Sequence, residues 1–401
     1  MGSEKYDVLV VGGGPAGLRA AEVVSAAGLH TVLADHKPSV GRKFLVAGRG
    51  GLNLTHSEPV KNFPARYGGP VERWQNLLAD FSPDDLRAWA DGLDAKTFVG
   101  TSGRVFPLTK QAAPLLRRWI ERLRRQGVSF RPRHGLVGFT RATNGEWVVE
   151  FTTPRGNVAL RTRALILALG GASWPQTGAD GRWVSFFTKE GLRVTPLTPA
   201  NCGYEVDWPR EFLTQAEGLP LKNVVVRANG ESVAGELLIT KYGLEGGALY
   251  QLGRELGRMP HPKIEIDLKP AFTVDRLSAK IRHAQGAHLL DQAARAWHLS
   301  RAAVALLELH APFASAGELA ALAKAYPLAL RGPRPIEEAI STAGGVSWDE
   351  LDENLMLKRR PGIFCAGEMI DWDAPTGGYL IQGCMSTATR AARGTLKFLT
   401  E

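Results

Sequence analysis

The stretch YDVLVVGGGPAGLRAAEVVSAAGLHTVLAD, residues 6–35, places three consecutive glycines between an apolar segment and a segment rich in alanine. The first six residues are almost all apolar, as expected of a buried parallel strand. Residues 15–27 have the pattern of a helix that Gly28 ends, and residues 30–35 are apolar again. This order of strand, helix and strand predicts a parallel sheet with crossover helices.

The glycines have the spacing of a dinucleotide-binding turn. Gly12, Gly14 and Gly17 follow the pattern G-x-G-x-x-G, and Asp35 ends the second predicted strand. The first glycine permits a tight turn, the second lets the backbone approach a pyrophosphate, and the third lets the helix pack closely on the strand. The helix N-terminus offers unpaired N–H groups to the phosphates. We expect Asp35 to accept hydrogen bonds from ribose hydroxyls.

A second glycine turn lies near the other end of the chain. The sequence PGIFCAGEMIDWDAPTGGYLIQGCMSTATRAA, residues 361–392, runs from a predicted strand through Gly367-Glu368 and then Gly377-Gly378 into a helix. Two turns at opposite ends of the chain, each leading into a helix, favour a ligand long enough to reach both, and FAD is such a ligand. The dipole of the second helix would stabilise negative charge on a reduced flavin ring.

Composition limits the remaining possibilities. A chain of 401 residues, 44% hydrophobic and 22% charged, predicts two or three domains with apolar cores. Cys202, Cys365 and Cys384 are too far apart to indicate a disulfide framework, a zinc site or a dithiol redox centre, so no metal is predicted. Redox chemistry would therefore belong to a bound cofactor. The formal charge of +9 is compatible with nucleic acid or an anionic substrate.

The longest apolar runs, such as ALILAL at 164–169, are too short to span a membrane, and no signal peptide precedes the first predicted strand. We therefore expect a cytoplasmic protein without a membrane contact.

The composition and the predicted secondary structure change along the chain. Helices are predicted over 71–92 and 110–126, and residues 128–160 alternate like strands around a turn at Asn144-Gly145. Short strands rich in turn residues follow from about 190 to 270, and an alanine- and leucine-rich helical region runs from 272 to 330. The last sixty residues return to strand, glycine turn and helix, so the C-terminal segment is expected to complete the first domain.

Taken together, these motifs are similar to those of the YhiN/BaiN-like family of FAD-dependent oxidoreductases, in a subgroup whose early loop reads GGLNLTHSE. The resemblance extends over essentially the whole chain. The motifs that carry it are GGGPAG at 12–17, GRKFLVAGRGGLN at 41–53, GRVFP at 103–107, LALGGASWPQTGADG at 167–181, GELLITKYGLEGG at 235–247, and AGGVSWDEL through GGYLIQG at 343–383.

The resemblance implies an α/β fold with a Rossmann-like FAD-binding domain of the glutathione-reductase type. This domain is expected at 1–190 and 340–401, with an inserted β-rich, barrel-like domain at 191–271 and a small helical subdomain at 272–339.

The family's cofactor contacts transfer to this chain by position. Those expected at the ADP half are Gly12, Gly14, Pro15, Ala16, Gly17 and Asp35. Those expected along the rest of the cofactor are Arg42, Lys43 and Asn53 in the early loop, Gly170 on the adenine side, Gly367, Glu368 and Asp371 near the ribityl and phosphate groups, and Gly377, Gly378, Tyr379 and Ile381 near the isoalloxazine ring.

Members of the family reduce carbon–carbon double bonds, either in bile-acid enones or in a uridine of large-subunit ribosomal RNA. The resemblance implies that NADH or NADPH reduces FAD, that flavin N5 delivers hydride to an electron-poor carbon, and that an acid protonates its neighbour. The catalytic candidates are Tyr242, Lys241, Arg49 and His56, with Arg49 and Lys241 favoured as anchors for an oxyanion or a phosphate.

The substrate stays open between a small-molecule enone and an RNA base. Contact with ribosomal RNA through a basic surface is favoured by the net charge and by the cluster Lys358, Arg359 and Arg360. It is disfavoured at Leu52, where relatives have the cysteine of an Arg-Cys-Asn run, since a thiol is a natural proton donor to a pyrimidine carbon. Lys241 also replaces a histidine of the relatives, so substrate contacts are expected to differ.

Two functions of other classes remain. An oxygen-using flavin hydroxylase or oxidase would consume O2 together with its substrate. A non-catalytic FAD-binding module would hold the cofactor without turnover.

Overall fold

The computed structural model describes residues 5–48, 50–283 and 288–401. The chain divides into two compact units, the first comprising Met1–Thr198 and Ser341–Glu401 and the second Pro199–Ile340. Each unit has its own cluster of buried apolar side chains.

The strands and helices are given in chain order. The strands are β1 (Lys5–Val11), β2 (Thr31–Asp35), β3 (Thr55–His56), β4 (Thr97–Val99), β5 (Arg104–Pro107), β6 (Ser129–Pro132), β7 (Gly135–Arg141), β8 (Trp147–Thr153), β9 (Gly156–Leu167), β10 (Val194–Ala200), β11 (Tyr204–Glu205), β12 (Pro220–Ala228), β13 (Glu231–Thr240), β14 (Gly243–Glu245), β15 (Lys263–Asp267), β16 (Tyr326–Ala329), β17 (Ser341–Val346) and β18 (Ile363–Cys365). The α-helices are α1 (Pro15–Ala26), α2 (Arg42–Ala47), α3 (Val71–Asp80), α4 (Pro83–Asp91), α5 (Ala112–Arg125), α6 (Trp183–Lys189), α7 (Arg210–Ala216), α8 (Gly247–Gln251), α9 (Gly253–Gly257), α10 (Val274–Lys280), α11 (Leu289–Ala296), α12 (Arg301–Glu308), α13 (Ala316–Lys324) and α14 (Tyr379–Thr400). Short 3-10 helices occupy Val60–Arg66, Pro175–Thr177, Ile336–Glu338, Trp348–Glu350 and Gly367–Met369.

The main sheet of the first unit has the order β6-β2-β1-β9-β8-β7, and β18 also pairs with β9. Its central pairs are parallel, with Val10 opposite both Leu33 and Ile166. Strands β9, β8 and β7 pair antiparallel. The predicted β-α-β opening is confirmed, and so is the hairpin around Asn144-Gly145.

The carboxyl ends of the parallel strands determine where the candidate site lies. Strand β1 ends at Val11, β2 at Asp35, β9 at Leu167 and β18 at Cys365. Because the carboxyl ends of parallel strands lie at one edge of a sheet, the residues that follow these four strands are brought together there.

The segment predicted to be helical at about 71–92 is helical, but it forms two helices rather than one. Helix α3 ends before Phe81, whose backbone is extended, and α4 begins at Pro83. The Ser82 hydroxyl accepts a hydrogen bond from the Asp85 N–H at 3.2 Å and forms a capping box with its side chain. Proline suits the first position of the new helix but cannot continue the old one, since it lacks an N–H.

The second unit contains an antiparallel sheet of order β11-β14-β13-β12-β15-β16 with helices α7 to α13. Strand β16 pairs with β15, with Leu328 opposite Ile264. A strand from the predicted helical segment 272–339 therefore extends the sheet of the predicted β-rich segment 191–271, and both segments contribute to one core.

No helix in the described ranges is both long and apolar enough to cross a membrane.

Candidate functional site

A cavity of about 940 Å³ opens at the carboxyl edge of the main sheet. Its walls come from the first glycine turn, the end of β2, the start of α2, the segment after β9 and the C-terminal segment. The predicted cofactor-binding residues that line it are Gly12, Gly14, Pro15, Ala16, Asp35, Arg42, Lys43, Gly170 and Glu368. The two ends of the chain therefore contribute to a single cavity within the first unit.

Two glycines of the first turn meet different surroundings. A Cβ atom on Gly17 would lie 1.7 Å from the Gly12 carbonyl oxygen, so only glycine fits between helix and strand. Beyond its chain neighbours, a Cβ on Gly14 would meet no atom of the described residues within 4 Å, although this residue is the N-cap of α1 and lines the cavity. Since no side chain of the described residues caps α1, the first N–H groups of this helix are available to an anion.

Asp35 is fixed by two backbone donors. The Gly13 N–H donates to Oδ2 at 2.6 Å and the Lys37 N–H donates to Oδ1 at 2.7 Å. A carboxylate has about four acceptor sites, so Asp35 keeps acceptor capacity toward the cavity.

His36 is a cavity residue that the sequence analysis missed. Its Nε2 is buried and has no hydrogen-bond partner within the described part of the chain. The nearest carboxylate oxygen paired with it, Asp180 Oδ2, is 3.7 Å away. Burial lowers the pKa of His36, and the opposing effects of Asp35 and Asp180 do not compensate. His36 could have been predicted as a cavity residue from its position directly after Asp35.

The start of α2 brings two cations to the cavity. The Arg42 Nη1 donates to Ser39 Oγ at 3.3 Å, whereas its buried Nε has no hydrogen-bond partner among the residues described. The Lys43 Nζ donates to Ser173 Oγ at 2.6 Å and to Glu368 Oε2 at 2.7 Å.

Glu368 is held on both carboxylate oxygens. Besides the ion pair with Lys43, its Oε1 accepts the Thr342 N–H at 2.9 Å. The exposed fraction of its side chain is 11%, against 25% for Lys43. The pair therefore joins α2 to the C-terminal segment at the cavity wall.

The second glycine turn leads into α14. Gly378 has a φ of +106°, and a Cβ there would lie 2.5 Å from the backbone of Thr55. Tyr379, the first residue of α14, stacks on His56 with ring centroids 5.4 Å apart. Residues of β3 and the start of α14 are therefore in direct contact at this turn.

A hydrogen-bonded group that the sequence analysis missed surrounds Tyr379. The Tyr379 hydroxyl donates to Glu58 Oε1 at 2.6 Å, and Arg66 donates to the same carboxylate at 3.0 and 2.8 Å. Burial raises the pKa of Tyr379, and the bond to Glu58 raises it further. Burial also acts to raise the pKa of Glu58, but the hydrogen bonds from Arg66 and Tyr379 outweigh it, so the net pKa is lowered. The hydroxyl is thus protonated and the carboxylate ionised. Glu58 lies within the GGLNLTHSE loop, two residues after His56, which was the available signal.

His56 has both ring nitrogens engaged. Nδ1 accepts the Glu58 N–H at 3.1 Å, so the proton is assigned to Nε2, which donates to the Ser102 carbonyl at 3.0 Å.

Some predicted cofactor contacts lie outside the cavity lining. Asp371 accepts the Thr195 hydroxyl at 2.6 Å, and its pKa is raised by burial. Ile381 packs against the core of the first unit, and the buried Asn53 Oδ1 has no hydrogen-bond partner in the described ranges. Gly367 is close to the first turn, because a Cβ on it would lie 2.7 Å from Ala16 Cβ.

The other catalytic candidates are divided between the units. Tyr242 and Lys241 follow β13 in the second unit, where the Tyr242 hydroxyl donates to Glu245 Oε2 at 2.5 Å. The Arg334 guanidinium lies 4.5 Å from the centre of the Tyr242 ring, and burial raises the pKa of this tyrosine. Lys241 is exposed. Arg49 lies outside the described residues.

The basic cluster at 358–360 is largely occupied by intramolecular contacts. Arg359 pairs with Glu350 at 2.7 Å, and Arg360 pairs with Glu190 at 2.9 Å. These two arginines therefore form ion pairs within the first unit.

The family model described as "HI0933-like protein Rossmann domain" matches residues 6–394. The chain belongs to this HI0933-like family. The Rossmann-like fold that the family resemblance implies is confirmed.

Two relatives of this HI0933-like chain match nearly its full length. The ribosomal RNA dihydrouridine synthase of Escherichia coli strain K12 is 25% identical over 97% of this chain and 98% of its own. The protein of the same name from Haemophilus influenzae is 22% identical over the same shares. The resemblance to the YhiN/BaiN-like family is confirmed.

Among solved structures, the 3-ketosteroid-delta4-(5alpha)-dehydrogenase of Rhodococcus jostii RHA1 aligns with a TM-score of 0.55 and 14% identity, covering 99% of this HI0933-like chain and 97% of that protein. At this identity the likeness concerns the fold alone. The family model and the two full-length relatives identify the HI0933-like chain as a member of an oxidoreductase family with a Rossmann-type domain.

Proposed function

We propose that the protein binds FAD in the cavity of the first unit and catalyses the NADH- or NADPH-driven reduction of a conjugated C=C bond. The main support for the proposal is that Gly14, Asp35 and Glu368 line the same cavity of about 940 Å³. These residues come from opposite ends of the chain. That volume is near the upper end of the range of about 300–1,000 Å³ that is common for ligand pockets, as expected for a large cofactor.

The polar groups of the cavity fit such a ligand. Gly14 leaves open space at an uncapped helix start, which suits a pyrophosphate. The buried Arg42 Nε and His36 Nε2 both lack a partner among the described residues, and a buried polar atom without a hydrogen bond is costly. A phosphate oxygen is a suitable acceptor for the arginine, and the neutral imidazole suits a hydroxyl or an adenine group.

The chain's own residues orient and bind. The N–H groups of α1 and Arg42 would hold the phosphates, and Asp35 the ribose hydroxyls. The Lys43–Glu368 pair would keep the early loop and the C-terminal segment in place around the cofactor. When bound, FAD supplies hydride from its reduced form to the electron-poor carbon, and NADH or NADPH restores that form.

Reduction of a C=C bond also needs a proton. The Tyr379 hydroxyl, kept protonated beside ionised Glu58, joins Tyr242 and His56 as a candidate donor, whereas Lys241 and Arg49 stay candidates for anchoring an oxyanion or a phosphate. His56 has both nitrogens engaged in the described structure, which favours a positioning role for this side chain.

Among conjugated substrates, a uracil base of ribosomal RNA is favoured. The two full-length relatives are named for dihydrouridine synthesis in ribosomal RNA. The net charge of +9 suits a polyanionic substrate.

The test compares ribosomal RNA from cells with and without the gene by mass spectrometry of its nucleosides. The proposal expects a dihydrouridine that disappears in the deletion and returns when purified holoenzyme and NADPH or NADH are added to the deletion's RNA. Unchanged nucleosides, together with O2 consumption by the reduced holoenzyme in step with another substrate, would instead support a hydroxylase or oxidase.

A further inference from the structure

The small sheet β3-β5-β4 presents an unusual outward face. His56 is paired with Arg104, and Phe106 is paired with Phe98. Directly paired residues on adjacent strands point to the same side of a sheet, and so do residues two apart on one strand. Arg104, Phe106 and Phe98 therefore share one face, whereas Val105 between them is fully buried on the other.

Two aromatic rings stack on this face at the surface. The centroids of Phe98 and Phe106 lie 5.6 Å apart with an interplanar angle of 22°, and both side chains are only half-buried. The Lys110 Nζ lies 5.7 Å from the first centroid and 5.9 Å from the second. We call Phe98, Phe106, Arg104 and Lys110 the stacking face.

The inner end of the stacking face adjoins the second glycine turn. The Arg104 Nε would lie 3.4 Å from a Cβ on Gly377. Within the described ranges the structure gives the Arg104 guanidinium no hydrogen bond and no ion pair. A guanidinium so placed is available to an anion or a carbonyl group. The exposed ammonium groups of Lys96 and Lys110 add positive charge at the outer end.

Partly exposed phenyl rings with cations beside them are typical of surfaces that bind unpaired nucleotides. Unpaired nucleotides offer base faces that stack on aromatic rings and phosphates that pair with Arg and Lys. A duplex keeps its base faces inside the helix and so gains only the charge contribution. A purely apolar partner would leave Arg104 and Lys110 without a counterpart.

We propose that the stacking face binds single-stranded RNA, holding the unpaired nucleotides next to the base that is reduced at the second glycine turn. This inference rests on the proposed function, because it takes the turn at Gly377-Gly378 as the border of the reaction site. It assigns the substrate class as a single-stranded or splayed RNA segment, with Phe98 and Phe106 stacking bases and Arg104 and Lys110 contacting phosphates.

The test measures fluorescence anisotropy of the holoenzyme with a labelled oligouridylate and with a duplex of equal length. The double variant Phe98→Leu/Phe106→Leu keeps apolar bulk but removes the stacking surface. Phe272→Leu is the matched control, since Phe272 is also half-buried with a lysine, Lys280, 4.7 Å from its ring centre. We expect the wild type to prefer the single strand, the double variant to bind it about 10–100-fold more weakly, and the control to bind normally.

The charge contribution is tested separately, in case the double variant folds poorly. Lys110→Gln changes an exposed side chain, and removing its ion pair with a phosphate should lower the slope of log affinity against log salt by about 0.7. An unchanged slope, equal affinity for duplex and single strand, or wild-type binding by the double variant would each overturn the stacking face. The proposed function fails on a different result, namely a protein without FAD or RNA without the expected dihydrouridine.

Discussion

The Lys43 ammonium lies 2.7 Å from the Glu368 carboxylate, although 325 positions separate the two residues in the chain. The pair connects the loop after the first β-α-β unit to the segment that precedes the second glycine turn. A Thr342 N–H and the Ser173 hydroxyl complete the group, so each charge has a second polar partner. The site is therefore stabilised by the same contacts that bring the two ends of the chain together.

Replacing Gly14 should block the cofactor without unfolding the protein. Gly14→Val adds a side chain where, apart from the chain neighbours, no atom in the described part of the chain lies within 4 Å of the Cβ, and the backbone there has a φ of −78°, which valine tolerates. We expect FAD affinity to fall by at least about 10-fold, with the free energy of unfolding changed by no more than about 1 kcal/mol. Titration with FAD and thermal melts of the apoprotein measure both.

Gly332→Val serves as the control, because its Cβ also meets no atom of the described residues within 4 Å, and Gly332 belongs to the second unit and is not a cavity-lining residue. It should bind FAD as the wild type does. Equal FAD affinity in the Gly14 variant would remove this residue from the binding site.

The two partners of the Lys43–Glu368 pair should differ in the cost of their removal. Lys43→Met leaves a largely buried carboxylate without its cation, at a cost of about 2 kcal/mol in the free energy of unfolding. Glu368→Gln keeps an acceptor for the Thr342 N–H and removes the charge, so about 1 kcal/mol is expected. Urea unfolding of both apoproteins checks the order, and a larger cost for Glu368→Gln would contradict it.

His36 should contribute to the pH dependence of stability. Its pKa in the folded state is below the unfolded value of about 6.5, so near that pH and below it the unfolded chain binds more protons and stability falls as the pH is lowered. His36→Gln cannot titrate. We expect the variant to lose less stability than the wild type between about pH 7.5 and about pH 5.5. Parallel curves for the two proteins would show that burial of His36 has no such effect.

The Tyr379 hydroxyl should matter for turnover more than for cofactor binding. Tyr379→Phe keeps the ring stacked on His56 but removes the protonated oxygen beside Glu58, so kcat should fall about 100-fold while FAD content is unchanged. Tyr67→Phe is the matched control, since the Tyr67 hydroxyl donates to the Tyr379 backbone carbonyl at 2.9 Å. That variant should lose stability and retain kcat. Full activity of Tyr379→Phe would show that another group donates the proton in the reduction.

The sequence predicted the parts of the site that depend on backbone geometry. The turn at Gly12 to Gly17 and the acidic end of β2 follow from local spacing, which the sequence displays directly. The Lys43–Glu368 pair and the Tyr379–Glu58–Arg66 group depend on side chains that only the tertiary fold brings together. Local patterning also could not separate α3 from α4, because both helices are amphipathic and the capping box at Ser82 is a short signal.

The most direct measurement of the central claim is the flavin content of the purified protein. If FAD occupies the cavity, the purified protein is yellow, releases one FAD per chain after denaturation, identified by mass spectrometry, and rebinds FAD when the apoprotein is titrated. A colourless protein whose correctly folded apo form shows no FAD binding in that titration would contradict it.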